Sequence, residues 1–425
     1  MSSTAWLLSA GFGFLMLIGV PFAFAIGIVV ALSLWVADID FLLLSQTVVA
    51  GTQSFSLLAI PFFMLAGELM SAGGLSQRLV KVADVFVRHL TGGLGHVTVV
   101  AATVFSAISG SAPATTAAIG AIMIPAMIER GYDAGYATAL SVSAGVLAPL
   151  IPPSIAFVIW GVIAEQSIAK LFLSGVVPGL VMAAALVVVV ALRAKRDNLP
   201  RLPRASWKEI RTAVNDGKWA LLAPLIVLGG IYAGVFTPTE AAAVACFYSL
   251  AVGLWIERRI RWSDLPRIIL AAMKISAIVM AIIAVSGGFG VLVAQEQLAT
   301  KMATFLGDNI QQKWVMLLLL NVAFFLLAAV MDEIAIMVIL GPMLIAIANK
   351  FGIDPIHFGA IIVTNVSIGM AAPPIGYCLF VGMAISGLSL ARVAKAIWPM
   401  VLAMLVVLML TTYVPGFSLA FQKAA

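Results

Sequence analysis

The chain has 425 residues, of which 63% are hydrophobic and only 10% charged, with a mean hydropathy of +1.14. This excludes a soluble globular protein and requires lipid as solvent; at about 20 residues per span, the length allows more than about ten crossings, or fewer with re-entrant segments. The net charge of +6 sits in loops, so it reads as orientation in a membrane rather than as nucleic-acid binding.

The first repeat, residues 1–192, is predicted to hold scaffold helices over 6–73, an arm helix over 75–92, an apolar hairpin over 97–128 and a broken helix over 134–165. Met1 to Ala5 carries no basic region or cleavage site, so no removable signal peptide is expected. A basic linker, 193–218, follows, with Arg193, Lys195, Arg196, Arg201, Arg204, Lys208, Arg211 and Lys218 around Pro200 and Pro203. The second repeat, 219–425, holds scaffold helices over 219–292, an arm over 294–312, a hairpin over 314–349, a broken helix over 356–386 and a last crossing over 396–414.

The two repeats are read from self-similarity. Gly131 to Pro178 aligns without a gap onto Gly352 to Pro399 at an offset of 221, matching Asp133 with Asp354 and Pro152-Pro153 with Pro373-Pro374. Trp6 with Trp219 and Trp35 with Trp255 extend the likeness along the chain. With the linker placed on the cytoplasmic side and the halves oppositely oriented, only Lys170, Lys301, Lys313, Lys350 and Lys423 of the 24 Lys and Arg fall outside. Equal orientation would expose Arg78, Lys81 and Arg88. The fold class is therefore an all-α polytopic membrane protein of two inverted-topology repeats, each with a re-entrant helical hairpin and a discontinuous helix.

A proline in a helix strips the carbonyl four residues back of its N–H partner. Pro149, Pro152 and Pro153 thus free the carbonyls of Gly145, Ala148 and Pro149; Pro373 and Pro374 free those of Gly369 and Met370; Pro113 frees that of Ser109. Inside a bilayer such oxygens need protein, water or an ion, and neutral oxygens suit Na⁺. A plain kink repaired by neighbours is the competing reading for either pair alone, but duplication at equivalent positions weighs against it. The first hairpin is interrupted at Ser109 to Thr116 and the second at Met331-Asp332-Glu333, which is aligned with Ala114-Thr115-Thr116. Carboxylates in so apolar a run should face a cavity or an ion, unless Asp332 or Glu333 lies at the interface or caps the returning helix.

Asn365 and Ser367, like Ser141 and Ser143, add side-chain oxygens just before the breaks. For Glu68 and Glu240, capping or surface placement is expected. His89, His96 and His357 are expected at membrane surfaces, Cys246 and Cys378 as packing residues, and Gly287 to Gly290 as close helix packing. No catalytic constellation stands out, so no enzyme is expected.

Ser54 to Phe63, Ser109 to Ala112, Pro149 to Ser154, Phe236 to Ala241, Met331-Asp332 and Gly369 to Pro374 resemble the large membrane subunit of tripartite ATP-independent periplasmic (TRAP) transporters, over about residues 6 to 415. The resemblance implies an elevator-type, Na⁺-coupled transporter of the bacterial inner membrane. It also implies a small membrane subunit bracing the scaffold and a soluble periplasmic binding protein that delivers an organic acid. Carried over, it gives Na⁺ ligands at Ser106, Ser109, Gly145, Ala148, Ile151 and Pro153 for one site, and at Asp332, Thr364, Gly369 and Ala372 for the other. Substrate would lie near Ser111, Asp332 and Asn365. Some relatives carry an acid at the position of Thr115, so coordination at that tip is expected to differ in detail. A stand-alone divalent-anion/sodium symporter, a proton-coupled version using Asp332 and an intramembrane hydrolase are the rival readings. Selectivity in the family resides largely in the binding protein, so C4-dicarboxylates, sugar acids and keto acids all remain open.

Overall fold

The computed structural model describes residues 3–199 and 201–422; Met1, Pro200 and Lys423, assigned above from sequence, lie outside the described residues. Among the described residues every regular element is a helix, as hydrocarbon demands, because a helix pairs its own backbone N–H and C=O groups. Among the described residues eight helices are long and apolar enough to cross a membrane: Phe55–Ala72, Ala112–Glu129, Ile168–Arg196, Trp207–Tyr232, Pro238–Ile256, Trp262–Gln295, Glu333–Lys350 and Leu390–Tyr413.

One group of helices packs around Ala59–Ala72. This helix packs on Pro238–Ala251 and on Leu265–Gln295, and Phe22–Val36 and Leu42–Thr52 pack in turn on Leu265–Gln295. The first arm is Leu75–Val87, shorter than the sequence suggests, and rests on Trp207–Tyr232. Its Arg78 reaches Glu257 at 2.8 Å. The second arm also shortens, to Leu298–Asn309, because the preceding helix runs on to Gln295 and a left-handed Gln297 (φ 52) redirects the chain.

Much of the linker is helical. Ile168–Arg196 ends on Arg193, Lys195 and Arg196, where cations complement the carbonyl end of a helix. Trp207–Tyr232 opens on a capping box between Ser206 and Glu209. That leaves 197–199 and 201–206 as the described connection.

The hairpins and broken helices form a second group in which the two halves of the sequence interlock. The first hairpin is Gly93–Ser109 and Ala112–Glu129; the second is Lys313–Ala328 and Glu333–Lys350. The broken helices are Ala134–Gly145 with Ile155–Ile163, and Pro355–Gly369 with Tyr377–Ser386. Tyr377–Ser386 packs on Ala112–Glu129, Ile155–Ile163 on Glu333–Lys350, and Leu390–Tyr413 on Ala134–Gly145. Across the join, Trp160 meets Phe358 edge to face at 6.0 Å.

Residues 221 apart do the same local work. Gly131 (φ 85) and Gly352 (φ 57) both take the left-handed turn that precedes a broken helix. Asp133 then caps the first by accepting the Tyr136 N–H, and Asp354 caps the second by accepting those of Ile356 and His357, each at 2.9 Å. Two histidines depart from their expected surface positions: His96 and His357 are buried. The turn before His96 is covered because Gly92 and Gly95 abut Ala194 and Val190. His357 is covered from the C-terminal end, where its Nδ1 lies 2.6 Å from Ser418 Oγ. His89 is partly exposed.

Candidate ion and substrate site

Each hairpin tip touches the break in its own half. In the first, Gly93–Ser109 stops at Gly110, whose φ of 58 suits a residue without a side chain. A Cβ there would fall 2.5 Å from the Pro153 carbonyl oxygen, and the Gly110 carbonyl accepts the Ile155 N–H at 3.3 Å. Ser109 and Thr115 join their hydroxyls across the tip at 2.6 Å. Gly145 lies so close to Thr116 that a Cβ would come 2.9 Å from the Thr116 Cα.

The first break is walled in by protein throughout, from Val146 to Ser154. Most of its stripped carbonyls find new donors. Gly145 accepts the Ala148 N–H at 3.2 Å, and Pro149 accepts the Ser154 hydroxyl at 2.5 Å; Ser154 also caps the following helix by accepting the Phe157 N–H. A carbonyl has two lone pairs, so one such bond leaves room for an ion. Among the described residues the Ala148 carbonyl gains no such partner, and the nearby Ser141 and Ser143 hydroxyls are buried without one. Ser106, whose hydroxyl returns to the Ala102 carbonyl at 2.7 Å, Ser109 and Ile151 are buried in the same region.

In the second half, the Ala329 carbonyl accepts the N–H groups of Ile375 at 3.2 Å and Gly376 at 3.0 Å, tying tip to break. Gly369 accepts the Ala372 N–H at 2.9 Å and Met370 that of Cys378 at 3.0 Å. Thr364 is buried, with its hydroxyl on the Ala360 carbonyl at 2.6 Å. This break is more open than the first, since Pro374 and Ile375 are exposed. Both Pro-Pro bonds are cis.

Asp332 does cap the returning helix, its Oδ1 accepting the Ile334 N–H at 3.0 Å. It also lines a cavity of about 480 Å³ between the two tips and the first helix group. Ser111 from the first tip, Met370 and Tyr377 beside the second break, and Met64 and Glu68 from Ala59–Ala72 line it too. Capping and cavity lining, set as alternatives on sequence grounds, therefore hold together. Asp332 is the structural counterpart of Ser111, because each is the residue before a return limb; the sequence alignment with Thr115 is displaced.

Among the described residues three carboxylates, Glu68, Asp332 and Glu333, line this cavity, and no lysine, arginine or histidine does. Glu333 is 6% exposed and its Oε2 has no hydrogen-bond partner. Asn365 is not among the lining residues. It is fully buried, donating to the Asn321 carbonyl at 2.9 Å and side-chain oxygen at 3.1 Å, and Asn321 in turn donates to Thr412. Glu68 is the residue sequence reasoning undervalued. It also lines a second cavity of about 250 Å³ that runs toward Ser76 and Gln77 on the arm. A lone acid in so apolar a run was the signal. Glu240, by contrast, makes the expected cap, a capping box with Thr237.

An all-helical membrane body, with two hairpin tips meeting two helix breaks beside an acid-lined cavity, has the design of a membrane transport protein. The chain belongs to the family described as Tripartite ATP-independent periplasmic transporter, DctM component, which matches residues 10–417. It is similar to the C4-dicarboxylate TRAP transporter large permease protein DctM of Pseudomonas aeruginosa, at 41% identity over 88% of this chain and 87% of that one. A putative TRAP transporter large permease protein of Haemophilus influenzae is 39% identical over 95% of both chains. The isethionate TRAP transporter permease protein DctMQ of Oleidesulfovibrio alaskensis is 39% identical over 96% of this chain but 65% of its own length. These relatives are transporter permeases of the bacterial inner membrane, not enzymes, and the chain is a multi-pass protein of that membrane.

Proposed function

We propose that the chain catalyses Na⁺-coupled uptake of an organic acid by an elevator motion. In this reading 1–192 and 219–425 are inverted repeats, and the hairpins and broken helices move as a body past the scaffold. Na⁺ is cargo here, bound where each tip meets its break: at Ser106, Ser109, Gly145, Ala148, Ile151 and Pro153, and at Asp332, Thr364, Gly369 and Ala372. The substrate occupies the cavity at Ser111 and Asp332, with Asn365 holding the second broken helix in register from behind. A small membrane subunit and a periplasmic binding protein complete the system. The relatives' names speak of C4-dicarboxylate and isethionate, both organic acids.

The observation that carries this reading is the charge of the cavity. Glu68, Asp332 and Glu333 line it without a basic side chain, so an organic anion entering alone would meet only repulsion. Cations bound with it supply the missing charge, which makes each ligand favour the other by the same free energy. The unpartnered Ser141 and Ser143 hydroxyls and the free Ala148 carbonyl are neutral oxygens of the kind Na⁺ takes. The test is uptake into proteoliposomes holding the chain, its small subunit and its binding protein. An inward Na⁺ gradient should drive accumulation, and equal accumulation in K⁺ with a proton gradient alone would replace Na⁺ by H⁺. Accumulation without any binding protein would favour a stand-alone symporter.

A further inference from the structure

Where the chain leaves the membrane for the basic linker, a groove of about 350 Å³ opens between Ile168–Arg196 and Leu390–Tyr413, closed at one side by the start of Ala134–Gly145. Its walls are apolar, with Val189, Leu192, Pro399 and Met400, and its rim carries Arg193, Arg196 and Lys395. Tyr136 also lines it. This side chain is 5% exposed, yet its hydroxyl has no hydrogen-bond partner among the described residues. The Arg193 guanidinium sits over the Tyr136 ring, 5.5 Å from its centroid.

The two acids near the rim are already engaged. Asp133 pairs with Arg392 at 3.1 Å and Asp197 with Arg193. Arg196 lies farther from Asp197, at 3.8 Å, and Lys395 has no ion-pair partner among the described residues. The rim is therefore left with surplus positive charge beside a buried donor that lacks an acceptor. Below it, Lys395, Pro399, Leu402 and Val406 follow one another along one helix face, and Leu402 and Val406 are exposed, as is Val188 on the neighbouring helix.

We propose that this groove binds the headgroup of an anionic glycerophospholipid from the linker-side leaflet. Phosphodiester oxygens accept from the Tyr136 hydroxyl, Lys395 and Arg196, and the acyl chains run down the apolar stripe of Leu402 and Val406. A soluble phosphate would satisfy the rim but leave the apolar walls and stripe uncovered. A zwitterionic lipid would cover the walls but bring a cation of its own to the basic rim. A basic pocket between transmembrane helices at headgroup depth is the arrangement that selects anionic lipids. The site is separate from the cavity of the transport reading and does not depend on it.

The test is native mass spectrometry of the purified full chain with phosphatidylglycerol, with phosphatidylcholine of the same acyl chains, and with glycerol phosphate. Phosphatidylglycerol should be retained about tenfold better than phosphatidylcholine, a preference that falls with added salt. Arg196→Gln with Lys395→Gln should abolish that preference. Tyr136→Phe, which removes only the hydroxyl, should weaken retention about tenfold, the lower end for one hydrogen bond to a charged group, without lowering the melting temperature of the lipid-free protein. Lys195→Gln, one residue from Arg196 but outside the groove, should leave retention unchanged. Equal retention of the two lipids, an equal loss in Lys195→Gln, or displacement of phosphatidylglycerol by an equal concentration of glycerol phosphate would overturn the proposal.

Discussion

Ser111 and Asp332 occupy the same position 221 residues apart: each is the residue before the return limb of its hairpin, and both open onto one cavity. They differ in what they do for the helix behind them. Asp332 caps it through Ile334, whereas the Ser111 hydroxyl makes no cap bond. Asp332→Asn keeps a competent cap and loses only charge, so thermal stability should stay within about 0.5 kcal/mol. Na⁺-driven uptake should fall at least roughly a hundredfold, about 2.7 kcal/mol of lost ion and substrate stabilisation. Asp332→Ala should lose uptake equally and about 1 kcal/mol of stability besides. Uptake retained in Asp332→Asn would remove this carboxylate from the ion site.

Gly110→Ala places a methyl group against the Pro153 carbonyl in a backbone conformation that costs an L-residue about 1–2 kcal/mol. The tip and the break should part. A rise of about tenfold in the Na⁺ concentration for half-maximal uptake is expected, the equivalent of about 1.4 kcal/mol. Uptake measured against Na⁺ concentration decides it, and an unchanged midpoint would separate the tip contact from ion binding.

Ser154 bridges the first break, donating to Pro149 and accepting from Phe157. Ser154→Ala removes both bonds in a buried setting and should cost about 1–3 kcal/mol of stability. Ser154→Thr retains a hydroxyl and should recover part of that loss. Melting curves of the two variants in one detergent test this, and matching losses would assign the effect to packing.

Glu68 lines the cavity from Ala59–Ala72 and has no hydrogen-bond or ion-pair partner among the described residues. An uncompensated carboxylate repels an organic anion. Glu68→Gln should therefore lower the apparent KM for substrate by about two- to fivefold, or roughly 0.4–1 kcal/mol. Initial rates at saturating Na⁺ read this out, and a KM that rises would make Glu68 a ligand of the cation instead.

At the linker-side surface, burial pushes the Asp133 carboxyl up, but the Tyr136 N–H and the Arg392 guanidinium outweigh it and hold the group below its usual 3.8. A lowered carboxylate contributes stability above its unfolded-state value, and that contribution is lost as pH falls through the folded value. Melting temperature should thus be insensitive to this group between pH 5 and 8, above both the usual 3.8 and the lowered folded value. It should drop below pH 4. In Arg392→Gln the drop below about pH 4 should shrink, because the partner that lowered the carboxyl is gone. An unaltered acid limb in that variant would show that the ion pair plays no part.

What could be read from sequence was the chemistry a residue imposes on its own neighbourhood. Proline lacks an N–H wherever it stands, so the two breaks were legible; Asp133 and Asp354 were legible as matched positions 221 apart, but that each caps its helix was not. The fate of the stripped carbonyls was not. Gly145 and Gly369 re-pair with the N–H three residues on, and Met370 with Cys378, because the chain tightens or doubles back in ways no spacing reveals. Long-range contacts were likewise hidden. Asn365 looked like a cavity residue, but Asn321, 44 positions earlier, takes its amide. Glu68 looked like a surface acid until Ala59–Ala72 was set against the first hairpin.

The unequal burial of the two proline pairs bears on the order of events. Pro152 and Pro153 are sealed within the protein, whereas Pro374 and the residue after it are exposed. On the proposed Na⁺ reading, a cation at the sealed break would have to enter before the tip closes and leave only after it loosens, while one at the exposed break could exchange with the rest shut. The transport cycle would then have a first passenger and a last one, the last to board being the first to leave.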